Sequence, residues 1–263
     1  MVINADIRRT IISMTGKSKA AHVAVALSEV EILNAIYKSV DKNKIINCTN
    51  DRDRVILSKG HGAAGLYAVL FHNGLLTQED IDSFFLNGTL LAGHASHFVK
   101  NVEHSTGALG HGLPVGLGVA IGSRSKGFNN RIFVVVGDGE LNEGSNWEAI
   151  MYAGHQAVGN LCLMVDKNGR SMTGNVEDEC SIEPLNLKFE AFNFDCYEIK
   201  DGHIESDIID VIRKTKDSKR PVAIICNTIK GKGVSFMENN LDWHYRPPLG
   251  EDFKKAMAEL GEL

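Results

Sequence analysis

The chain has 263 residues, of which 43% are hydrophobic and 23% are charged, and its formal net charge is −5. A domain usually takes roughly 100–200 residues, so the length predicts one large domain or two small ones. Such a chain buries a core without help from disulfides or structural metals. The acidic balance and the lack of a basic stripe argue against nucleic acid or a membrane surface as a partner. No run of about 18 apolar residues occurs, so a membrane-spanning helix is not expected.

The five cysteines are odd in number and include no CxxC pair, a pattern that is typical of reduced thiols in a cytosolic protein. The residues that begin the chain, Met1 to Asp6, lack the apolar run of a signal peptide. We therefore expect a cytoplasmic location.

The first predicted element is a helix over residues 28–39. Ser28 is placed as its N-cap, and Glu31, three residues later, completes a capping box. The apolar residues 54–58 predict a short strand. Glycines end this strand and lead into a helix predicted at 63–73.

A polar helix near 78–85 is predicted after the capping residue Thr77. The segment 107–127 is rich in glycine and small residues. A glycine inside a helix costs roughly 1 kcal/mol relative to alanine. A helix of this composition is therefore expected to be buried and to approach another backbone closely.

The rest of the chain alternates apolar strands with helices. The predicted order is strand 132–136, helix 143–157, strand 161–165, strand 195–199, helix 206–217 and strand 222–226. This alternation implies an α/β fold, a doubly wound parallel sheet flanked by helices. The sequence contains no clear linker or repeat. The simplest prediction is one domain over residues 1–263, with a wrapped C-terminal tail from about residue 240.

Two of the predicted strands end in loops that carry oxygen ligands. Gly137-Asp138-Gly139 follows one apolar strand, and Asn168 follows the next. Ligands of open parallel sheets bind at the carboxyl ends of the strands, and glycines let a bulky anion approach the backbone. The helix after the first loop would direct its N-terminus at that anion. Because carboxylate and amide oxygens suit Mg²⁺, we predict a Mg²⁺–diphosphate site here.

The stretch from GDGELNEGSNWEA to VDKNGRSMTG resembles the motif of thiamine-diphosphate enzymes, in particular transketolase. Further blocks resemble this family in the same order along nearly the whole chain: LSKGHGAAGLYAVL (57–70), LAGHASHF (91–98), EHSTGALGHGLPVGLGVAIGSR (103–124), DGHI (201–204) and NTIKGKGVSFMENNLDWH (227–244). The resemblance implies the thiamine-diphosphate-binding fold, in its diphosphate-binding domain.

The resemblance implies two cofactors, thiamine diphosphate and Mg²⁺. The metal ligands would be Asp138, Asn168 and the backbone carbonyl of Arg170. The residues implied to bind thiamine diphosphate are His61, Gly107, Leu109, Gly137, Asp138, Gly139 and Asn168.

The resemblance also implies catalytic residues. His22, His94 and His244 match histidines that face the sugar substrate, and their ordinary pKa near working pH would let them shuttle protons. Glu143 and Glu148 match an acidic pair near the subunit interface that couples neighbouring sites. The carbanion chemistry itself would belong to the cofactor.

The chain covers only the first of the three domains of a full transketolase. The resemblance therefore implies the N-terminal subunit of a split enzyme that transfers a two-carbon ketol unit between ketose and aldose phosphates. Its partner would be a C-terminal transketolase subunit with the pyrimidine-binding domain and its activating Glu, in an α2β2 heterotetramer.

One segment departs from the family pattern. The first substrate loop usually reads SGHPGGS, whereas residues 20–26 read AAHVAVA. His22 is kept, but alanine and valine lack the backbone properties of glycine and proline. We expect a differently shaped, more apolar loop and a specialised donor or acceptor sugar.

Other assignments stay open. A subunit like 1-deoxyxylulose-5-phosphate synthase or 2-oxoacid dehydrogenase is one, although Trp243-His244 after KGKG fits split transketolase better. A non-catalytic interaction subunit is another, although it would be expected to lose ligands such as Asp138. A dinucleotide-binding protein is suggested by the GxGxxG match at 60–65, but the acidic residues about 20 positions on fall in a predicted polar helix.

Overall fold

A sheet of five parallel strands forms the centre of the computed structural model, which describes residues 2–261. The strands are β1 (Arg54–Leu57), β2 (Ile132–Gly137), β3 (Leu161–Lys167), β4 (Asp195–Ile199) and β5 (Val222–Asn227). They lie in the order β1-β2-β3-β5-β4, and all neighbours are parallel. Each strand therefore lies within two residues of its predicted bounds.

Helices account for most of the remaining structure. They are α1 (Val2–Ser18), α2 (Val23–Ser28), α3 (Val30–Ser39), α4 (Lys42–Ile46), α5 (Ala63–His72), α6 (Gln78–Asp82), α7 (Gly112–Ser125), α8 (Gly144–His155), α9 (Val176–Cys180), α10 (Leu185–Ala191), α11 (Glu205–Lys214) and α12 (Gly250–Glu259). Short 3-10 turns occupy Gly60–Gly62, Gly139–Asn142 and Leu241–His244. Between residues 2 and 261, no helix has the length and apolar character that crossing a bilayer requires.

Alternate residues of the central strands face two hydrophobic cores. On β2, Phe133 and Val135 pack in the core that contains α1, α2, α3 and α5. Ile132, Val134 and Val136 pack in the core that contains α7, α8 and α10. Burial on both faces explains why the strand is apolar at every position. The predicted doubly wound sheet, flanked by helices on both sides, is confirmed.

The predicted capping box of Ser28 and Glu31 is wrong. The helix predicted over 28–39 is confirmed as α3, but Ser28 is the last residue of α2, and Glu29 is the N-cap residue of α3, without a side-chain cap bond. Ser28 Oγ instead donates to Asp166 Oδ2 at 2.6 Å. Glu31 accepts two hydrogen bonds of 2.7 Å from the buried Arg8 guanidinium. Residues distant in the sequence therefore bind the Ser28 and Glu31 side chains, which the local pattern had assigned to a helix cap.

The glycine-rich segment is helical only over α7, and its glycines differ in their surroundings. A Cβ at Gly116 would lie 2.4 Å from Val134 Cγ2, and one at Gly112 would lie 2.4 Å from Ser58 Oγ. The expected close approach to another backbone is confirmed at Gly112, where a Cβ would also lie 2.7 Å from Ser58 Cα, whereas Gly116 approaches side chains. Gly118 and Gly122 face open space instead.

The C-terminal segment folds back over the beginning of the chain. Helix α12 packs against α1, and a Cβ at Gly16 would lie 2.6 Å from the Phe253 ring. Ahead of α12, the His22 N–H donates to the His244 carbonyl oxygen at 2.8 Å. The tail therefore places His244 directly beside the loop that carries His22.

Candidate active site

A cavity of about 430 Å³ lies at the carboxyl ends of β1, β2, β3 and β5. It is lined by all but two of the predicted site residues, namely His22, His61, His94, Gly107, Leu109, Gly137, Asp138, Gly139, Asn168, Arg170 and His244. A larger cavity of about 770 Å³, at the amino ends of the strands, contains none of them. The smaller cavity is therefore the candidate active site.

Asp138 is a nearly buried carboxylate at this cavity, with 2% of its surface exposed. Its two oxygens accept hydrogen bonds from the Gly139 N–H at 2.8 Å and the Gly169 N–H at 2.5 Å. Pairing of Gly137 with Asp166 in the sheet brings the two loops together. Burial, and then the charge of Asp166, raise the pKa of Asp138 to about 6. A bound cation would offset this cost of burial.

Asn168 is fixed in the neighbouring loop. Its Oδ1 accepts from the Arg170 N–H at 3.1 Å, and its Nδ2 donates to Asp166 Oδ2 at 3.3 Å. No group of three or more His, Cys, Asp or Glu side chains is placed to hold a metal in the part of the chain that the structure describes. A metal at Asp138 would therefore use amide and carbonyl oxygens as well, and complete its shell with ligand or water oxygens. Mg²⁺ is commonly bound in this way.

Lys230 lines the cavity, although the sequence analysis did not single it out. It is 2% exposed, and its Nζ donates to the Ser171 carbonyl oxygen at 2.7 Å. Within residues 2–261 it forms no ion pair with a carboxylate. Burial, and then the charge of Lys59, lower the pKa of Lys230 to about 8. An anion in the cavity would supply the missing countercharge.

Lys59 lies between two buried carboxylates at the same end of the sheet. Its Nζ bonds to Asp166 Oδ2 and lies 2.8 Å from Glu29 Oε2, without the alignment of a hydrogen bond. Burial alone would raise the pKa of Asp166, but Lys59 and bonds from Ser28 and Thr228 outweigh it and hold that pKa below its ordinary value. Burial also raises the pKa of Glu29, and here it outweighs the opposing effect of Lys59, so that pKa is about 8. The single ammonium therefore neutralises Asp166, and Glu29 keeps its proton at neutral pH.

Four histidines form one wall of the cavity, with His22 at the centre. The His22 ring centroid lies 5.0 Å from that of His244, 5.2 Å from that of His61 and 5.8 Å from that of His94. These residues come from four separate segments of the chain. The structure thus brings together all four histidines that the resemblance singled out.

The charge state of this wall differs from the expectation. Burial, and then the nearby His94 and Lys230, lower the pKa of His22 to about 4. Burial, and then Lys230, lower the pKa of His244 to about 4, and the pKa of His61 is also far below its ordinary value, chiefly because of burial. We expected values near working pH. An anionic ligand would raise these values again.

The backbone of His22 is in the left-handed region, with φ 69°. A residue other than glycine rarely takes this conformation, and it persists only where the surroundings hold it. Here the His244 carbonyl holds the His22 N–H, and α2 begins at the next residue. The loop therefore positions its histidine without the glycines and proline of the usual family pattern.

Gly107 and Leu109 line the cavity next to the histidine wall. Gly107 has φ 155°, and a Cβ there would lie 3.1 Å from His94 Cδ2, so the glycine keeps this space open. Glu140 is 3% exposed and accepts hydrogen bonds from the Gly110 N–H at 3.0 Å and the Gly137 N–H at 3.2 Å. Glu140, to which the sequence pattern assigned no role, thus ties the segment 107–110 to the GDG loop.

Glu143 and Glu148 are the two predicted residues that the cavity does not include. Both are exposed at the beginning of α8, where Glu143 packs against Gly110. Their expected role, to couple neighbouring sites at the subunit interface, concerns a neighbouring chain and stays a prediction.

Residues 2–262 match the family described as transketolase, thiamine diphosphate binding domain. The chain belongs to the transketolase family. This assignment rules out the alternative of a dinucleotide-binding protein. Two glycines of the GxGxxG match are instead required by close packing against Glu29. A Cβ at Gly62 or Gly65 would lie 2.5 Å or 2.6 Å from Glu29 Oε1.

Several proteins named as single subunits of transketolases resemble this chain along nearly all of their length. One, from the apulose-4-phosphate transketolase of Actinobacillus succinogenes, is 38% identical, over 97% of this chain and 93% of that protein. Its counterpart from Phocaeicola vulgatus, which carries the same name, is 35% identical, over 97% and 91%. The 6-deoxy-6-sulfo-D-fructose transketolase subunit SqwG of a Clostridium species is 35% identical, over 97% and 93%.

Longer transketolases share the fold over part of their length. The crystal structure of transketolase from Campylobacter jejuni superposes with a TM-score of 0.90 at 28% identity. The match covers 99% of this chain and 43% of that chain. This family member therefore spans somewhat less than half of a longer transketolase.

Proposed function

We propose that this chain is the N-terminal subunit of a heteromeric transketolase, which transfers a two-carbon ketol unit between sugar phosphates with thiamine diphosphate and Mg²⁺. The observation that carries the proposal is its similarity to relatives that are themselves named as transketolase subunits, over 91–93% of their length. The cavity at the strand ends supports it with a residue set suited to this chemistry.

The cavity fits the diphosphate of the cofactor and its metal. Lys230 offers a buried cation that pairs with no carboxylate among residues 2–261, and Gly139 lines the cavity at the GDG loop. Asp138, Asn168 and the Arg170 carbonyl would hold Mg²⁺, with diphosphate oxygens among the remaining ligands. When bound, thiamine diphosphate supplies the carbanion chemistry of ketol transfer.

The histidine wall would handle the sugar. His61 would contact the diphosphate, while His22, His94 and His244 would bind the hydroxyl groups near the bond that breaks. A neutral imidazole has one donor and one acceptor nitrogen, so each ring can orient a hydroxyl or take up its proton. Nδ1 of His244 is buried and makes no hydrogen bond in the described part of the chain, which suits a ligand contact.

The partner would be a C-terminal transketolase subunit with the pyrimidine-binding domain, in an α2β2 assembly. The surface of α7 and α8 supports such a contact. Met151 and Tyr152 are 56% and 50% exposed, and Gly118 and Gly122 leave open space on α7. Exposed apolar residues beside small ones are typical of a subunit interface. Glu143 and Glu148 lie on α8 or at its start and would face the neighbouring site.

The sugar would be a specialised one. The three relatives are named for apulose 4-phosphate and 6-deoxy-6-sulfo-D-fructose. Val25 lines the cavity from the first turn of α2, just after His22, at a position where the usual family pattern has glycine. A comparison of xylulose 5-phosphate with unusual ketoses tests this proposal, and full activity on xylulose 5-phosphate alone would contradict it.

Calorimetry of the reconstituted complex with thiamine diphosphate and Mg²⁺ tests the cofactor site. We expect Asp138→Ala to abolish metal-dependent binding, because it removes the carboxylate ligand. Asp210→Ala is the matched control, since Asp210 is exposed on α11 and its ion pair is with the equally exposed Arg213. Metal-dependent binding that survives Asp138→Ala would contradict the site.

A further inference from the structure

Tyr245 and Met172 form a contact at the mouth of the cavity that the proposed chemistry does not use. Both line the cavity, yet they are 59% and 52% exposed. The Tyr245 hydroxyl lies 2.6 Å from Met172 Sδ. One side chain comes from the C-terminal tail and the other from the loop after β3. Together they bridge the opening.

Tyr245 is held against the histidine wall. Its ring packs edge-on against His244 at 4.7 Å between centroids and in a tilted arrangement against His22 at 5.6 Å. The next residue, Arg246, is fixed over the Trp243 ring, with 4.7 Å to the centroid, and pairs with a carboxylate of α12. The tail therefore presents the ring beside the two side chains proposed to bind the ketol end of the sugar.

Met172 is held from the other side. It lies in a tight turn in which the Ser171 N–H donates to the Gly174 carbonyl and the Gly174 N–H donates to Ser171 Oγ, both at 3.0 Å. The Lys230 ammonium donates to the Ser171 carbonyl, which ties this turn to the cavity floor. Both members of the bridge thus have anchored backbones.

We propose that Tyr245 and Met172 are specificity-determining residues that limit the space for the part of the sugar beyond the ketol unit. This inference rests on the proposed function. A sugar whose ketol carbons lie at His22 and His244 must extend past the Tyr245 ring and the Met172 thioether. The bridge narrows that path and lines it with apolar surface. It therefore favours a compact substrate over an extended one.

The test is steady-state kinetics of the reconstituted complex with two ketol donors and one aldehyde acceptor. Hydroxypyruvate carries only a carboxylate beyond its ketol unit, whereas fructose 6-phosphate carries a chain of carbons and a phosphate. We expect Tyr245→Ala to raise the kcat/KM ratio of fructose 6-phosphate over hydroxypyruvate by about tenfold or more, the scale of one steric misfit in a pocket. Met172→Ala should raise the same ratio, because it widens the path at the loop after β3. Tyr245→Phe keeps the ring and loses only the hydroxyl contact with Met172, so it should change the ratio much less than Tyr245→Ala does.

The outcomes separate the two proposals. Parallel changes for both donors in Tyr245→Ala and Met172→Ala would overturn the specificity role and leave Tyr245 as a support for His22 and His244. Failure of the unmodified complex to transfer a ketol unit from any donor, unusual ketoses included, would overturn the proposed function itself. Both side chains are largely exposed, so the variants should fold, which circular dichroism would verify.

Discussion

At the scale of single residues, the protonation state of Glu29 determines whether one or two buried negative charges face the Lys59 ammonium. Burial raises the pKa of Glu29 to about 8, so Glu29 is neutral at pH 7, whereas Asp166 is ionised and bonded to Lys59. We expect Glu29→Gln, which mimics the neutral acid, to change the free energy of unfolding by less than about 1 kcal/mol. Asp166→Asn removes the ionised partner of Lys59 and an acceptor for Ser28 and Thr228, so it should cost more, about 1–3 kcal/mol, even though Glu29 can then ionise beside Lys59.

Urea unfolding of both variants at pH 7 measures this difference. The two substitutions are matched, because each replaces a fully buried carboxylate by its amide. A large loss in Glu29→Gln, equal to that in Asp166→Asn, would mean that Lys59 serves both carboxylates.

The histidine wall gives a prediction about pH. The pKa of His22 is about 4 in the folded chain, chiefly because of burial, against about 6.5 for an unperturbed histidine. Between these values the unfolded chain binds more protons than the folded chain. The free energy of unfolding should therefore fall as the pH drops from about 6.5 to 4.

His22→Gln should lose part of that pH dependence and retain the part that comes from other groups. An NMR titration of the His22 ring in the metal-free chain should show no midpoint above pH 5. A midpoint near pH 6.5 would contradict the burial that the structure assigns to this ring.

The sequence indicated only some of the residues at the site. Asp138, Asn168 and the four histidines could be identified because they lie in recognisable motifs. Lys230 was missed although it lies in such a block, since its importance comes from burial without a countercharge. Ser28 and Glu31 were misread because their partners, Asp166 and Arg8, are distant in sequence.

At the scale of elements, α7 offers a matched pair of glycines. A Cβ at Gly116 would lie 2.4 Å from Val134, so Gly116→Ala should destabilise the chain by about 1–3 kcal/mol through overpacking. Gly118 faces open space, so Gly118→Ala should stabilise the chain by up to about 1 kcal/mol through helix propensity. Urea unfolding of the two variants checks both signs.

The affinity of Gly118→Ala for the C-terminal partner is a second measurement, because the open face of α7 is part of the proposed interface. The variant should bind the C-terminal partner more weakly while its own unfolding free energy rises. Destabilisation by Gly118→Ala would contradict the packing of α7, and unchanged partner affinity would place the interface elsewhere.

Elements were easier to predict than their ends. The strands are apolar runs bounded by polar loops, and their predicted bounds hold to within two residues. The helix predicted over 28–39 is α3, but it begins at Val30 rather than Ser28, because tertiary contacts override the local capping signal. The predicted helix near 78–85 ends at Asp82, although Thr77 does form a capping box with Asp80.

At the scale of the whole molecule, the site depends on segments from both ends of the chain. The His22 N–H bonds to the His244 carbonyl, and Tyr245 and Met172 meet across the cavity mouth. Local patterns carry no information about such contacts, and only the family resemblance suggested that the two histidines belong together. The further groups that complete the active site are proposed to come from another chain.

The most direct test of this account is a ketol-transfer assay with and without the C-terminal partner, in the presence of thiamine diphosphate and Mg²⁺. We predict little or no transfer by this chain alone and restored transfer when the partner is added. Asp138→Ala should prevent the restoration, and the exposed control Asp210→Ala should not. Robust transfer by this chain without a partner would contradict the account.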